Sequence, residues 1–274
     1  MNGPATWFDG ASRVMFVHAH PDDETISTGG TLAALAAAGR EPLLVTLTRG
    51  ERGEVVDGPL AALVGTHGLP IVRQNELKTA LGMLGVERHA FLGAPPARAA
   101  GLAPRVYRDS GMTWGADGLA QAAPDAGAEA LTAAAAVDPL SDLLALADAW
   151  DCGAIVSYNG IGGYGHPDHV LAHRLARSVA HGLELPFWEI AAEPGAEPDA
   201  DPESSDPESS DSAGRDADAV ERHDIGAWYA QKLAALRSHA TQLVVESTEC
   251  GEEIVHVGGQ RQPIDRVEAF RRLA

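Results

Sequence analysis

The 274-residue chain has little of several residue types, and each scarcity excludes a class of protein. Its two cysteines, Cys152 and Cys250, lie far apart and in no metal-ligand spacing, so we expect no disulfide framework and a reducing compartment. Lys and Arg number 20 against 39 Asp and Glu, which gives a formal charge of -19. This balance argues against a nucleic-acid partner, because phosphate binding depends on a basic face.

Long apolar segments are also missing. No uninterrupted apolar run approaches the roughly 20 residues that a membrane-spanning helix needs. The opening sequence MNGPATWFDGASR has neither the basic nor the apolar region of a signal peptide. We therefore expect a cytoplasmic protein with no membrane partner, and the sequence leaves its oligomeric state open.

Much of the negative charge is concentrated in one short segment. Between Glu193 and Asp218 there are ten acidic residues against one arginine, together with two near-copies of the string DPESS. Such a segment buries too little apolar surface to offset the entropy of ordering it. We predict that residues 194–220 form an acidic disordered insertion, that 1–193 form the main domain, and that 221–274 complete the same domain.

The start of the chain has the pattern of a β-α-β unit. Arg13–His18 and Pro42–Thr48 are short apolar runs typical of buried strands, and Thr31–Ala38 between them reads as a helix closed by Gly39. This order implies a parallel sheet with a right-handed crossover. The fold class predicted is therefore α/β, a Rossmann-like, mostly parallel sheet flanked by helices, with a small C-terminal α+β extension.

The later elements follow from similar patterns. The predictions are a helix at Arg73–Leu84, a strand at His89–Leu92, a long loop over 93–125, a helix at Glu129–Trp150, a strand at Ala154–Tyr158, a helix from Pro167, a strand at Leu185–Ile190, a helix at Asp224–Val245, and a final 30 residues with a small strand or loop and a short terminal helix.

Two polar clusters each follow a predicted parallel strand: His20-Pro21-Asp22-Asp23-Glu24 and His166-Pro167-Asp168-His169. Ligands of open parallel sheets bind outside the carboxyl ends of strands, so the clusters are expected to converge. One His-Pro-Asp triplet alone is better explained as a turn and a helix start. Two such triplets favour a metal site, and imidazole with carboxylate suits Zn, Fe or Mn without choosing among them.

The string AHPDDE, joined to GGYGHPDH later in the chain, resembles the PIG-L/LmbE family of zinc deacetylases. The resemblance covers most of the chain except the acidic segment. The strings RGERGEV, RQNELKTALGMLGV, YRDSGM and LRSHATQLVV are similar to the branch that deacetylates N-acetylglucosaminyl-inositol in mycothiol biosynthesis. The implied activity is zinc-dependent hydrolysis of the N-acetyl group of an amino sugar, a small-molecule substrate.

The resemblance also implies the roles of particular residues. His20, Asp23 and His169 match the ligands of one Zn2+ ion, with Fe2+ as the alternative. Asp22 matches the general base that takes a proton from the attacking water.

Three further positions match residues that act on the carbonyl or on the leaving amine. His166 matches a residue that stabilises the oxyanion or protonates the amine in its cationic form, with Asp168 as the carboxylate that keeps it charged. Tyr164 matches a flexible tyrosine that polarises the carbonyl.

Arg73, Asp109 and Glu54 are the candidate substrate contacts, the first two by their match to sugar and inositol contacts. We interpret His18 as a packed or supporting residue rather than a ligand, and we leave His173 to structure, with a supporting role behind His169 as the alternative. His239 is interpreted as a helix-surface or capping residue, with contact to the pocket as the alternative. Three alternatives stay open: a mycothiol S-conjugate amidase, a deacetylase of another N-acyl sugar, and a non-catalytic sugar-binding module.

Overall fold

The computed structural model describes residues 3–115, 120–191 and 220–273. The predicted acidic insertion lies outside the described residues, apart from Val220, its last position. Cys152, which is buried, and Cys250, which is exposed, are both free cysteines. No helix within the described ranges is both long enough and apolar enough to cross a bilayer.

A seven-stranded sheet forms the centre of the molecule. In chain order its strands are β1 (Arg13–His18), β2 (Glu41–Thr46), β3 (Arg88–Phe91), β6 (Ala154–Ser157), β7 (Phe187–Ala191), β8 (Val220–Asp224) and β12 (Val267–Leu273). Their order across the sheet is β3-β2-β1-β6-β7-β12-β8. The first five pair in parallel, and β12 runs antiparallel to both β7 and β8. The predicted α/β class with a mostly parallel sheet is confirmed.

Five shorter strands form two small antiparallel sheets. They are β4 (Met112–Trp114), β5 (Ala120–Ala122), β9 (Leu243–Thr248), β10 (Gly251–His256) and β11 (Arg261–Pro263). The β4–β5 hairpin lies in the segment predicted as one long loop, and β9, β10 and β11 form the C-terminal extension.

Helices cover both faces of the central sheet. They are α1 (Asp23–Ala37), α2 (Leu69–Leu84), α3 (Val137–Ala149), the single turn α4 (Gly162–Gly165), α5 (Pro167–Gly182) and α6 (Tyr229–Leu236), with 3-10 turns at Phe8–Gly10, Ala61–Leu63, Leu131–Ala133 and Gly226–Trp228. Side chains of β1 alternate between the two layers: Met15 and Val17 pack with α3 and α5, whereas Val14 and Phe16 pack with α1 and α2. All of β1 after Arg13 is buried, as expected of a central parallel strand.

The candidate site lies where the strand order of the sheet changes direction, between β1 and β6. From β1 the chain crosses through α1 to β2 on one side, and from β6 it crosses through α5 to β7 on the other. The carboxyl ends of β1 and β6 are neighbours, and a crevice opens at such a switch point. The two polar clusters begin at these two strand ends.

Two helix predictions had the wrong first residue. α1 begins at Asp23 rather than Thr31, because its first turns carry Ser, Thr and Gly residues whose low helix propensity is overridden by tertiary packing. The helix predicted over Glu129–Trp150 begins only at Val137, since Pro139 lacks an N–H and is tolerated only in the first turn.

The C-terminal predictions were also wrong in part. The helix predicted over Asp224–Val245 is limited to α6, flanked by β8 and β9. The terminal segment is the strand β12, which lies inside the main sheet, and no terminal helix forms within the described residues. Contacts with residues distant in sequence hold β12 in the sheet. Glu268 of β12 accepts hydrogen bonds from the N–H groups of Gly30 and Thr31, and it pairs with Lys232 Nζ at 2.7 Å.

Candidate metal centre and active site

Three donor atoms from the two polar clusters form a small triangle. His20 Nδ1 lies 3.3 Å from Asp23 Oδ2 and 3.3 Å from His169 Nε2, and the last two atoms are also 3.3 Å apart. Metal–ligand bonds of about 2.0–2.1 Å in tetrahedral geometry place neighbouring donors about 3.3 Å apart. The convergence predicted for residues 20, 23 and 169 is therefore observed, and the triangle has a size that suits a divalent metal ion.

The hydrogen-bond partners of both rings direct lone pairs into this triangle. His169 Nδ1 donates to the carbonyl of Gly162 at 3.2 Å, so in the neutral ring Nε2 carries a lone pair. His20 Nε2 faces the Asp168 carboxylate at 3.2 Å, which leaves the lone pair on Nδ1. Two imidazole lone pairs and a carboxylate oxygen that meet at one point can bind a cation between them. The residues present thus fit a divalent metal.

A pair of buried carboxylates lies behind His20. Besides Asp168, Asp109 Oδ1 is 3.6 Å from His20 Nε2. Ser110 donates both its N–H, at 3.0 Å, and its hydroxyl, at 2.5 Å, to Asp168. Carboxylates in this position fix the orientation of a ligating imidazole.

This arrangement differs from the prediction for Asp168. We expected its carboxylate to hold His166 in the cationic form, but the carboxylate contacts His20 and Ser110 instead. His166 accepts the backbone N–H of Asp168 on Nδ1, at 3.2 Å, so its proton is on Nε2. Burial, together with His20 and His169, lowers the pKa of His166 to about 3. His166 is thus a neutral hydrogen-bond donor.

Tyr158, the first residue after β6, supports two of the triangle's side chains. Its hydroxyl donates to Asp23 Oδ2 at 2.7 Å and accepts the Ala19 N–H at 2.9 Å. Its ring stacks on that of His169, with centroids 4.2 Å apart and planes 9° apart. The strand prediction over Ala154–Tyr158 contained this residue but assigned it no role.

Asp22 adjoins the triangle in an unusual backbone conformation. Its φ is 123° and its ψ is -34°, a region that non-glycine residues rarely occupy. Arg73 Nη2 donates to Asp22 Oδ1 at 3.2 Å and to the Pro21 carbonyl at 2.7 Å. Burial raises the pKa of Asp22 to about 6, although Arg73 opposes the rise.

Aromatic and aliphatic side chains form an exposed rim at the mouth of the site. Tyr164 is 45% exposed, and its ring centroid lies 5.3 Å from that of His169. Trp114, 57% exposed, is the next ring outward, 6.0 Å from Tyr164, and Ile161 is 59% exposed. Exposed apolar groups next to a polar pocket are typical of a ligand-binding groove.

The three candidate substrate contacts differ in their placement. Arg73 and Asp109 are both buried against the site, at Asp22 and His20 respectively. Glu54 is exposed, in the loop whose Gly50 carbonyl accepts a hydrogen bond from Arg73. Their contact with substrate stays a prediction.

Sequence reasoning gave no role to Tyr158, Ser110 or Trp114. Tyr158 ends a predicted strand and Ser110 lies within the string YRDSGM, and these positions were the available signal. His18 and His173 pack behind the site, bonded to Thr28 and to the Tyr158 carbonyl. His239, expected on a helix surface or at a cap, is instead fully buried beside Glu24.

The amino-acid sequence matches a family of known proteins. The family model described as GlcNAc-PI de-N-acetylase (PIG-L) matches residues 15–180. A protein of Kineococcus radiotolerans named 1D-myo-inositol 2-acetamido-2-deoxy-alpha-D-glucopyranoside deacetylase is 35% identical, over 96% of this chain and 78% of that protein. One of the same name from Tsukamurella paurometabola is 36% identical, over 94% and 91%.

Solved structures of low identity share the fold. The N,N'-diacetylchitobiose deacetylase from Pyrococcus horikoshii has a TM-score of 0.55 at 19% identity, with 85% of this chain and 72% of that one covered. A deacetylase of teicoplanin biosynthesis in complex with teicoplanin has a TM-score of 0.58 at 18% identity, with 95% and 97% covered. The matching family model and the curated relatives show that this chain belongs to the PIG-L family of GlcNAc-PI de-N-acetylases.

Proposed function

We propose that this protein is a zinc-dependent deacetylase that hydrolyses the N-acetyl group of N-acetylglucosaminyl-inositol. The observation that carries the proposal is the triangle of His20, Asp23 and His169 donor atoms with Asp22 directly beside it. The substrate is taken from the names of the relatives that are 33–36% identical over most of this chain. The mixed nitrogen and oxygen donor set, without thiolate, suits zinc, with Fe2+ as the alternative.

His20, Asp23 and His169 would hold the metal. A divalent ion there supplies Lewis-acid activation of water and of the amide carbonyl. Asp22 takes the proton of the attacking water as the new C–O bond forms, and it passes that proton to the nitrogen as the C–N bond breaks. Acetate and the free amine are the products. A single carboxyl that accepts and then returns a proton works best with a pKa near the working pH.

The remaining side chains stabilise charge and position the acyl group. His166, neutral with its proton on Nε2, donates a hydrogen bond to the oxygen that becomes negative in the tetrahedral intermediate. The hydroxyl of Tyr164, a phenol that is protonated at neutral pH, is a second donor. Asp168 acts through His20, whose ring it orients.

Replacing the base tests the reaction directly. Asp22→Ala should retain the metal and lose at least ~100-fold in acetate release from N-acetylglucosaminyl-inositol, the usual scale for a general base. The matched control is Asp148→Ala, an exposed aspartate on α3, which should match the wild type. Wild-type activity in Asp22→Ala would refute the assigned role.

Substrate choice is tested on the same preparation. The wild-type protein should release acetate from N-acetylglucosaminyl-inositol and leave a bimane conjugate of mycothiol intact. Cleavage of the conjugate without acetate release would make the protein an amidase. Release from unrelated N-acetyl sugars alone would point to another deacetylase, and no turnover with metal bound would favour a sugar-binding module.

A further inference from the structure

Asp22 needs support for the backbone conformation in which the structure holds it. A left-handed φ in an aspartate is sparsely populated, and such residues persist where their surroundings over-determine them. Arg73 holds the carboxylate and the preceding carbonyl, but not the Asp22 N–H. That N–H donates to Glu24 Oε2 at 3.0 Å. The peptide between Pro21 and Asp22 is therefore held at both ends, with Arg73 on its carbonyl and Glu24 on its N–H.

Glu24 is itself held by a residue from the far end of the chain. His239 Nε2 lies 3.2 Å from Glu24 Oε1 and 3.1 Å from the Thr25 hydroxyl, and Thr25 also donates to Glu24. Glu24 and His239 are both 0% exposed, so water does not compete for these contacts. A buried carboxylate needs such partners, since charge without them is expensive to bury.

The backbone around His239 is anchored independently. Thr241 donates its N–H and its hydroxyl to Glu76 of α2, at 2.9 and 2.7 Å, and Gln242 donates to the Glu54 carbonyl at 3.0 Å. Val56 in turn donates to the Thr241 carbonyl. Residues 239–242 thus contact α1, α2 and the loop at 50–56. These contacts hold the backbone of His239 in place, and its side chain points into the core.

We propose that His239 is a positioning residue for the base: through Glu24 it holds the N–H of Asp22 and so keeps the Asp22 carboxylate aimed at the attacking water. The inference rests on the proposed function, in which Asp22 is the base. His239 touches neither substrate nor metal in this account. It acts on the rate of the chemical step, not on substrate binding.

Side-chain replacements at position 239 separate positioning from packing. In His239→Gln, the amide nitrogen Nε2 takes the place of the imidazole Nε2 and keeps the contact to Glu24. The other ring nitrogen, Nδ1, has no hydrogen-bond partner among the described residues, so its removal breaks no hydrogen bond. His239→Leu fills similar volume without a donor. We expect kcat to fall at least ~10-fold in His239→Leu with KM within about twofold of wild type, and to stay within about threefold in His239→Gln.

His223 supplies the matched control. It is also a fully buried histidine of the C-terminal part, but its ring nitrogens face Thr31 and Glu221, away from Asp22. His223→Leu should lower the melting temperature and leave kcat of the folded protein unchanged. Equal losses of kcat at 223 and 239, or wild-type kcat in folded His239→Leu, would overturn the proposal.

Thr25 offers a milder test if His239→Leu does not fold. Thr25→Val removes only the hydroxyl shared by Glu24 and His239, and it should lower kcat several-fold, whereas Thr25→Ser should restore it. Identical rates in the two variants would contradict the proposal.

Crystal structures of the 239 variants test the positioning without any assay. Asp22 should keep its positive φ in His239→Gln and leave it in His239→Leu or, if that variant is not obtained, in Thr25→Val. An unchanged Asp22 backbone in the donor-free variant would refute the inference even if the enzyme proved to act on another substrate. Full activity in Asp22→Ala would instead refute the proposed base.

Discussion

At the residue scale, each candidate ligand is held by a partner: the two histidines at their second ring nitrogen, and Asp23 at the oxygen that faces the triangle. Asp168 faces His20 Nε2, the Gly162 carbonyl takes His169 Nδ1, and Tyr158 holds both Asp23 and the His169 ring. Partners of this kind set the tautomer and orientation of ligands, and their loss commonly costs 10- to 100-fold in metal affinity.

Tyr158→Phe tests this support at one atom. The variant keeps the stacked ring and loses the hydrogen bond to Asp23 Oδ2, so we expect zinc affinity to fall about 10-fold or more in competition with a chromophoric chelator. Tyr229→Phe, which removes a hydroxyl bonded to the Ile264 carbonyl outside the site, should not change the affinity. Equal affinities for wild type and Tyr158→Phe would show that the hydroxyl is not needed.

The sequence predicted the chemistry-bearing residues better than their partners. His20, Asp22, Asp23, His166 and His169 lie in contiguous strings after buried strands, so the local pattern was enough to bring them together. The partner of Asp168 was not predictable, because two histidines compete for one carboxylate and only the three-dimensional positions decide between them. Long-range partners such as His239 leave no local pattern in the sequence.

At the element scale, the double glycine in α1 explains how the C-terminal part packs on the helix. A Cβ at Gly30 would lie 2.6 Å from the Cβ of Ile225, and one at Gly29 would lie 3.5 Å from the Lys232 side chain. Lys232 then reaches Glu268, which accepts the N–H groups of Gly30 and Thr31. The predicted start of α1 was too late because the low helix propensity of its first turns is offset by contacts with residues more than 190 positions away in sequence.

Adding one methyl group at Gly30 tests this packing. Gly30→Ala should lower the free energy of unfolding by about 1–3 kcal/mol in urea titration, because the methyl overpacks the contact with Ile225. Gly82→Ala, in the interior of α2 with open space at its Cβ, should instead be neutral or stabilising by up to about 1 kcal/mol. Gly30→Ala with Ile225→Ala should recover part of the loss. Equal stabilities for the two single variants would contradict the close contact.

At the scale of the whole molecule, we propose that residues before and after the acidic segment form one domain. β8 and β12 complete the sheet begun by β1, and His239 of the later segment contacts Glu24 beside the candidate metal ligands. The parallel half of the sheet was predictable from its buried runs and β-α-β order. The insertion of β12 between β7 and β8 could not be predicted. β12 is antiparallel to both strands, and with Arg271 and Arg272 it lacks the continuous apolar run that identifies a buried strand.

Metal stoichiometry tests the central claim most directly. Elemental analysis after zinc loading and gel filtration should find one zinc per chain in the wild type and almost none in His169→Ala. His181→Ala, an exposed histidine on the same helix, should retain one zinc. Zinc content unaffected by His169→Ala, or absent from the wild type, would contradict the claim that side chains after β1 and β6 share one ion.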